Sequence, residues 1–220
     1  MYEFDREFRI LILRMIEDIE VHIRTQVSYY HAHKYGPDGY MLPSSHNKRH
    51  DHIEFTRRMN SCIYENRNTL IVKHHTNNYE CKFPLWVMIE FFSIGMLSHF
   101  YRGMINVDKA YLASSMYGTN YQTLESWLRC LTDLRNMCAH HSRLYYYIFP
   151  ARPKMPRGER YIPTRRIFAQ LYMLKLMHPS SKKWNDEFVK PLGKLIKKYK
   201  PYISLDHLDF PYRWKSMLTK

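Results

Sequence analysis

Apolar residues recur every three or four positions along most of this chain, and that spacing is the period of an amphipathic α-helix. Between residues 2 and about 30 the apolar stripe consists of Phe4, Phe8, Leu11, Met15 and Ile19. The opposite face carries the charged residues Arg6, Arg9, Glu17, Asp18 and Arg24. Two glycines and a proline within residues 34–40 predict that the first helix ends there.

The same spacing predicts further helices over residues 47–72, 84–97, 108–117, 121 to about 140, 164–177 and 183–200. Asp108 and Asn120 are predicted N-caps, since both side chains accept hydrogen bonds from a first helical turn. The segment 85–97 is apolar nearly all round, so we expect a buried helix there. A proline-rich loop is predicted over 150–163, and no alternating run indicates a strand. The sequence therefore predicts an all-α fold.

The chain is strongly basic, with 34 Lys and Arg residues against 20 Asp and Glu and a formal charge of +14. Residues 152–200 alone contain 14 basic and 3 acidic residues, a net charge of +11. Such an excess favours polyanionic partners, nucleic acid before an acidic membrane surface, although a solubilising surface has the same composition. The apolar run 84–97 contains Glu90 and is too short to span a bilayer. The first residues are charged, unlike a secretory signal, so we expect a cytoplasmic protein.

Neither cysteine nor histidine spacing indicates a metal site. The four cysteines, Cys62, Cys81, Cys130 and Cys138, form no C-x-x-C pair, which argues against a structural zinc site or a redox dithiol. Cys130 and Cys138 are expected to be small core residues in a reducing compartment. The same caution applies to the histidines His46, His50 and His52 and to the pair His74, His75, neither of which comes with a nearby acidic or cysteine partner set. We expect no metal and no other cofactor.

Residues 135–144, Arg-Asn-Met-Cys-Ala-His-His-Ser-Arg-Leu, place two arginines, two histidines and an amide at the end of a predicted helix. A polar stripe leads into this segment at spacings of four, three, four and three, and consists of Arg129, Asp133, Asn136, His140 and Arg143. At about 100° per residue these five share one helix face. Arg135 precedes His140 by five positions, or about 140° around the axis, and so lies off that face.

This combination suits a phosphodiester, because arginine keeps its charge and can hold a phosphate while histidine exchanges protons near neutral pH. The residues alone leave a second interpretation open, in which His140 and His141 only cap the helix C-terminus. A metal site is less well supported, because adjacent histidines on a helix point about 100° apart. The offset of Arg135 also suggests a two-fold dimer in which Arg135 of one copy faces His140 of the other.

The segment resembles a known motif. Arg135-Asn136-x-x-x-His140 is similar to the R-x4-6-H signature of HEPN-domain ribonucleases, and residues 134–144 resemble their Abi-like (abortive infection, phage-resistance) branch. Two further blocks resemble the same branch, the first helix from Tyr2 to Arg9 and the proline–tryptophan block 83–86 with Glu90 and Gly95. The resemblance covers about residues 2 to 150. After the Arg-Leu pair the family often has tryptophan and asparagine, where this chain has Tyr145 and Tyr146.

The resemblance implies a HEPN-like helical bundle over residues 1–150 with additional basic C-terminal helices, residues 151–220, packed on the same domain. It implies a dimer that cleaves RNA without metal, and the offset of Arg135 from His140 adds the expectation that the dimer has a composite active site. His140 would be the general base or acid, Arg135 would stabilise the phosphoryl charge and Asn136 would orient the phosphate. His141, Arg143 and Arg129 are the candidates for RNA-binding contacts.

The function so implied is that of an endoribonuclease in abortive infection or a toxin–antitoxin system, with an antitoxin or a non-coding RNA as a further partner. A non-catalytic RNA-binding HEPN-like module is the alternative, because the same cations would hold a phosphate without cleaving it. A helical interaction protein with a merely solubilising charge is a third interpretation.

Overall fold

The computed structural model describes residues 1–220, and its regular structure is helical. The helices are α1 (Tyr2–Tyr35), α2 (His52–Glu65), α3 (Leu70–Asn78), α4 (Leu85–Met88), α5 (Ile94–Gly103), α6 (Asn106–Tyr117), α7 (Tyr121–Ala139), α8 (Ile167–Met177), α9 (Ser181–Trp184), α10 (Lys190–Tyr199) and α11 (Trp214–Leu218). A π-helical turn, Asn185–Val189, joins α9 to α10. The only β-type pairing is one isolated bridge between His46 and Met104. The predicted all-α fold is confirmed.

The first helix buries one apolar stripe, as its spacing predicts. Its fully buried members are Phe4, Phe8, Ile12, Met15 and Ile19, whereas Leu11 is only half-buried. The prediction was wrong for Arg9, which was assigned to the exposed face and is 4% exposed. Arg9 follows Phe8 directly, so it lies at the edge of the stripe and can enter the core when a buried acceptor is present.

Two of the predicted helices are broken in the structure. Residues 47–72 form α2 and α3, because Asn66 caps the end of α2 by donating from Nδ2 to the Cys62 carbonyl at 2.8 Å. Residues 84–97 divide between α4 and α5, because the hydroxyl of Ser93 accepts from the Met96 N–H at 3.2 Å and starts a new helix. Each of these side chains offers the backbone a local partner that ends or begins a helix.

Asp108 is not the N-cap that its position in the sequence predicts. Helix α6 begins two residues earlier, and Asp108 is fully buried on it. Its carboxylate accepts hydrogen bonds from the hydroxyls of Tyr30, at 2.9 Å, and Tyr35, at 2.5 Å, and pairs with Lys34. Burial alone would raise the pKa of Asp108, but the hydrogen bonds from Lys34 and the two tyrosines lower it overall. Asp108 therefore ties α6 to the end of α1.

The chain forms two compact units, one of residues 1–22 with 122–220 and one of residues 23–121. The first unit contains α7 to α11, and its largest buried side chains include Trp127, Phe168, Trp184 and Phe188. The second contains α2 to α6, with Phe100 and Tyr101 among its largest buried side chains. The expected division at residue 150 stays a prediction. No helix is long and apolar enough to cross a membrane.

All four cysteines are free thiols. Cys130 and Cys138 are each 1% exposed, so the prediction that they are core residues is confirmed. Burial raises the pKa of each of these two thiols to about 12. Both are therefore protonated at neutral pH.

Candidate active site

Helix α7 separates an apolar face from a polar face along its whole length. The buried residues of the apolar face are Leu124, Trp127, Leu128, Leu131, Leu134 and Cys138. On the polar side Arg129 and Asn136 are exposed, and His140 is exposed just beyond the last helical residue. Arg135 is half-buried, between the two faces. Three members of the predicted stripe, Arg129, Asn136 and His140, thus face solvent, whereas Asp133 is half-buried.

The helix ends in a regular capping structure at the motif histidines. The His140 N–H donates to the Asn136 carbonyl at 2.9 Å, and the His141 N–H donates to the Cys138 carbonyl at 3.3 Å. The Ser142 N–H reaches back to the Met137 carbonyl at 3.0 Å. These bonds form a Schellman motif, with His140 as the C-cap and His141 as the residue after it.

The capping structure corrects one detail of the predicted stripe. Because the helix ends at Ala139 and the chain turns at His141, Arg143 does not continue the helical face as its spacing predicts. Arg143 is exposed in the segment that follows the turn.

His141 has a left-handed backbone conformation, with φ 55°. This position of a Schellman motif is usually occupied by glycine, as in Gly118 after α6, where φ is 59°. A residue with a Cβ in this conformation costs roughly 1–2 kcal/mol. Such strain is found mainly where a side chain serves a function, so the histidine here is a reason to look for one.

A buried pair of charged residues on α1 holds the segment beyond the turn. Arg9 donates from Nη1 to the Ser142 carbonyl at 3.0 Å, and Asp5 accepts from the Tyr145 N–H through Oδ1 at 3.2 Å. Both side chains are under 5% exposed, at 4% for Arg9 and 3% for Asp5. We call Asp5 and Arg9 the α1 clamp, because together they fix the backbone of residues 142–145.

Burial raises the pKa of Asp5. The hydrogen bond from the Tyr145 N–H and the positive charges of Arg9 and Arg143 act in the opposite direction. The charge of Arg143 thus acts on the carboxylate of Asp5, although the Arg143 side chain is exposed. The clamp joins the start of α1 electrostatically to the motif segment.

The predicted site residues have no side-chain hydrogen bonds or ion pairs within the chain. They are Arg129, Arg135, Asn136, His140, His141 and Arg143. The α1 clamp bonds only backbone groups, the Ser142 carbonyl and the Tyr145 N–H, so the motif side chains remain available to an external ligand. Guanidinium, amide and imidazole donors at one helix end form a surface that suits a phosphate.

Helical geometry determines which of these side chains lie together. Asn136 and His140 are one turn apart and are neighbours on the surface. Arg135 is displaced from His140 by about 140° around the axis and about 7.5 Å along it, so the two do not share a face. Arg129 lies about 16 Å from His140 along the axis, and its charge acts on Asp133 one turn away. Helical geometry therefore places Asn136 and His140 side by side and leaves Arg135 apart.

The α1 clamp is the part of the site that the sequence did not indicate. Asp5 and Arg9 are four positions apart, and each directly follows a residue of the buried apolar stripe, Phe4 or Phe8. Their position next to this stripe is the only feature of the sequence that could have indicated the clamp. In one sequence it cannot be distinguished from an ordinary i, i+4 pair on a helix surface.

No group of three or more His, Cys, Asp or Glu side chains is arranged to hold a metal ion.

Comparison with known families adds an independent observation. A family model described as Abi-like protein matches residues 1–146, about two thirds of the chain. The chain belongs to the Abi-like protein family. The match extends from α1 to Tyr146 and so includes the α1 clamp and the whole motif of this Abi-like chain. Membership suggests a role in abortive infection, a form of phage defence.

No curated protein matches the chain. No solved structure matches it either.

Proposed function

We propose that this Abi-like protein is a metal-independent endoribonuclease of the HEPN type, acting in abortive infection or in a toxin–antitoxin system. One observation carries the proposal. The side chains of Arg135, Asn136 and His140 lie at the end of α7 without hydrogen bonds to the chain, just before residues 142–145, whose backbone the buried α1 clamp holds. A surface held in place but unoccupied by the chain's own groups is what binding and catalysis require.

The proposed reaction is an intramolecular transfer of the phosphoryl group from the 5′-oxygen to the 2′-oxygen of the RNA. The ribose 2′-oxygen attacks the adjacent phosphorus, the new 2′-O–P bond forms, and the bond from phosphorus to the 5′-oxygen breaks. His140 takes the proton of the 2′-hydroxyl as general base or gives a proton to the leaving 5′-oxygen as general acid, and solvent water exchanges the other of these two protons. The products are a 2′,3′-cyclic phosphate and a 5′-hydroxyl. The reaction consumes no water and requires no metal ion.

Arg135 and Asn136 act on the phosphate itself. The guanidinium of Arg135 stabilises the negative charge that develops on the non-bridging oxygens, and the Asn136 amide donates to one of them to orient it. His141 and Arg143, in the turn after α7, contact the RNA backbone on either side, and Arg129 contacts a more distant phosphate. Binding of this kind weakens as the salt concentration rises.

The offset of Arg135 supports a composite site. Since Arg135 and His140 of one chain are about 140° apart around α7, a two-fold dimer would complete the site with Arg135 of one copy facing His140 of the other. The basic residues of segment 152–200 belong to the same compact unit as α7 and would add sequence-independent affinity for RNA. An antitoxin protein or a non-coding RNA would restrain the activity before infection.

The test is to incubate the purified chain with total RNA in EDTA, beside the His140→Ala, Arg135→Ala and Asn136→Ala variants. We expect cleavage by the parent and a loss of about 10²- to 10⁴-fold in rate for His140→Ala. His33→Ala is the matched control, because His33 is also an exposed histidine in the last turn of a helix. Its cleavage rate should equal that of the parent.

Two results would contradict the proposal. Equal cleavage by the parent and the His140→Ala variant, purified identically, would identify the activity as a contaminant. A salt-sensitive gel shift with no cleavage would instead support the RNA-binding module.

A further inference from the structure

Tyr146, just beyond the motif, also has a strained backbone. Its φ is 67°, in the left-handed region, and its side chain is 49% exposed. A bulky residue in this conformation is a genuine outlier, since the Cβ clashes with the backbone. Folding alone does not favour an aromatic ring that is both strained and left half in water, which points to a use for the ring outside the chain.

The backbone on both sides of Tyr146 is fixed. The preceding N–H, that of Tyr145, donates to Asp5 of the α1 clamp at 3.2 Å. The Tyr146 carbonyl accepts a hydrogen bond from Arg166 Nη1. The ring is therefore presented by a held segment, and not by a loose loop tip.

The ring of Tyr146 also has a partner on one side. Its centroid lies 4.3 Å from that of His207, with 39° between the planes, and 4.6 Å from that of Tyr145, edge to face. The Tyr145 hydroxyl in turn contacts His207 Nδ1 at 2.9 Å and accepts from the Ser204 N–H at 2.7 Å. The Tyr146 hydroxyl makes no hydrogen bond with the chain, and of the three rings only that of Tyr146 is strongly exposed. We call Tyr146 with His207 behind it the Tyr146 platform.

We propose that the Tyr146 platform stacks a base of the RNA beside the phosphate that is cleaved. The inference rests on the proposed ribonuclease function and adds a contact to the base, which the motif cations do not supply. Every base has a π-face, so one exposed and backed aromatic ring binds single-stranded RNA with little sequence preference. The platform follows His140 by six residues, and the α1 clamp holds the segment between them.

The positive charges around the platform suit an RNA strand. Arg166 bonds the platform's own backbone, and the exposed Arg143 lies three residues before Tyr146. Cations on the phosphates and an aromatic ring on the base are the two components of single-strand recognition. A base held on Tyr146 would fix the neighbouring ribose and phosphate relative to His140.

The experiment measures binding without cleavage. The His140→Ala chain is titrated, at one fixed salt concentration, against a fluorescein-labelled single-stranded RNA of mixed sequence and about 12 nucleotides. Two further variants are titrated in the same way, and each adds one substitution to the His140→Ala chain, Tyr146→Asn in the first and Tyr146→Phe in the second. Asparagine accepts the left-handed conformation, so the first change removes the ring without adding strain. Phenylalanine keeps the ring and removes only the hydroxyl.

We expect Tyr146→Asn to weaken binding by about 5- to 150-fold, the value of one stacked base. Tyr146→Phe should bind like its parent, and so should Tyr212→Asn, which removes a fully exposed tyrosine from the same compact unit. The fluorescence of an RNA that contains 2-aminopurine should be quenched when the RNA binds the parent, and quenched less when it binds the Tyr146→Asn variant.

Three outcomes would overturn the platform. Unchanged affinity in Tyr146→Asn, with cleavage by the unmodified chain intact, refutes the platform alone and leaves the ribonuclease proposal standing. A change of oligomeric state in Tyr146→Asn, measured by sedimentation, would assign the ring to a contact between copies. No RNA binding by the parent would refute the platform together with the proposed function.

Discussion

Arg9 donates a hydrogen bond to the Ser142 carbonyl oxygen at 3.0 Å and so joins positions 133 residues apart. The donor is 4% exposed, and its acceptor is the second residue after His140. A buried arginine is uncommon unless its charge has a partner, and here the partners are one backbone carbonyl and the attraction of Asp5. The start of α1 thus controls the shape of the turn that follows α7.

Removing that bond should damage the site from a distance. We expect Arg9→Met, which keeps the buried stem, to lower the free energy of unfolding by about 2–3 kcal/mol, because it breaks a charged hydrogen bond and leaves Asp5 buried with less compensation. Well below the unfolding temperature, the variant should still cleave RNA more slowly than its parent, because the turn that carries His140 is no longer fixed.

Arg6→Met is the control for this prediction, since Arg6 is exposed and pairs only with Glu3 on the same helix. It should change stability by under about 0.5 kcal/mol and leave cleavage intact. Equal changes in the free energy of unfolding for the two substitutions, measured by denaturant unfolding, would show that the buried Arg9 stabilises the chain no more than an exposed arginine does.

The strain at His141 should appear as a gain in stability when it is relieved. We expect His141→Gly to raise the free energy of unfolding by about 1 kcal/mol, since glycine adopts φ 55° without a Cβ clash. RNA binding should weaken at the same time, because the imidazole is lost from the turn. Thermal unfolding and an RNA titration of the same sample measure the two effects.

Gly118→Ala provides the reverse substitution after α6. No atom lies within 4 Å of a Cβ built on Gly118, so only the backbone conformation opposes the change. We expect a loss of about 1 kcal/mol with RNA binding unchanged. A destabilised His141→Gly variant would show that the histidine side chain supports the fold, as the capping interpretation holds.

Mixing two inactive variants tests the composite site. If Arg135 of one copy serves His140 of the other, a dimer of Arg135→Ala with His140→Ala contains one intact site and one doubly altered site. An equal mixture after subunit exchange should therefore recover about a quarter of the parent activity, measured as RNA cleavage. A site within a single chain would give no recovery above the two variants measured separately.

Two buried histidines of the second unit should make the chain sensitive to acid. Burial lowers the pKa of His31 and of His46 to about 4, and near His31 the charges of Asp108 and Lys34 act in opposite directions. In the unfolded chain histidine has a pKa of about 6.5, so below that pH the unfolded state takes up protons first. The free energy of unfolding should be highest above about pH 6.5 and fall until about pH 4, by about 3 kcal/mol per histidine.

Denaturant unfolding between about pH 7 and pH 4.5 measures this slope. Neither ring nitrogen of His31 has a hydrogen-bond partner. His31→Leu should therefore flatten the slope without loss of stability at neutral pH. His33→Leu, at an exposed position, should leave the slope unchanged. A slope that persists in full in His31→Leu would mean that other groups cause it.

The local features of the fold were predictable because they depend on residues a few positions apart. The spacing of Phe4, Phe8, Met15 and Ile19 indicated α1, and the stripe from Leu124 to Cys138 indicated α7. Gly118 marked the end of α6, and the proline-rich segment after residue 150 marked the loop before α8. The breaks at Asn66 and Ser93 were missed, because a polar side chain within a helical pattern is also compatible with a continuous helix.

The sequence by itself determined the helical class and the motif that contains Arg135, Asn136 and His140, since each follows from a period or a motif in one stretch of chain. Only the tertiary structure decided that Arg9 is buried, that Asp108 serves three partners, and that His141 and Tyr146 are strained. These states depend on acceptors and donors supplied from distant parts of the chain. A buried charge or a left-handed backbone is stable only where such partners outweigh its cost, and no local pattern records where they will be.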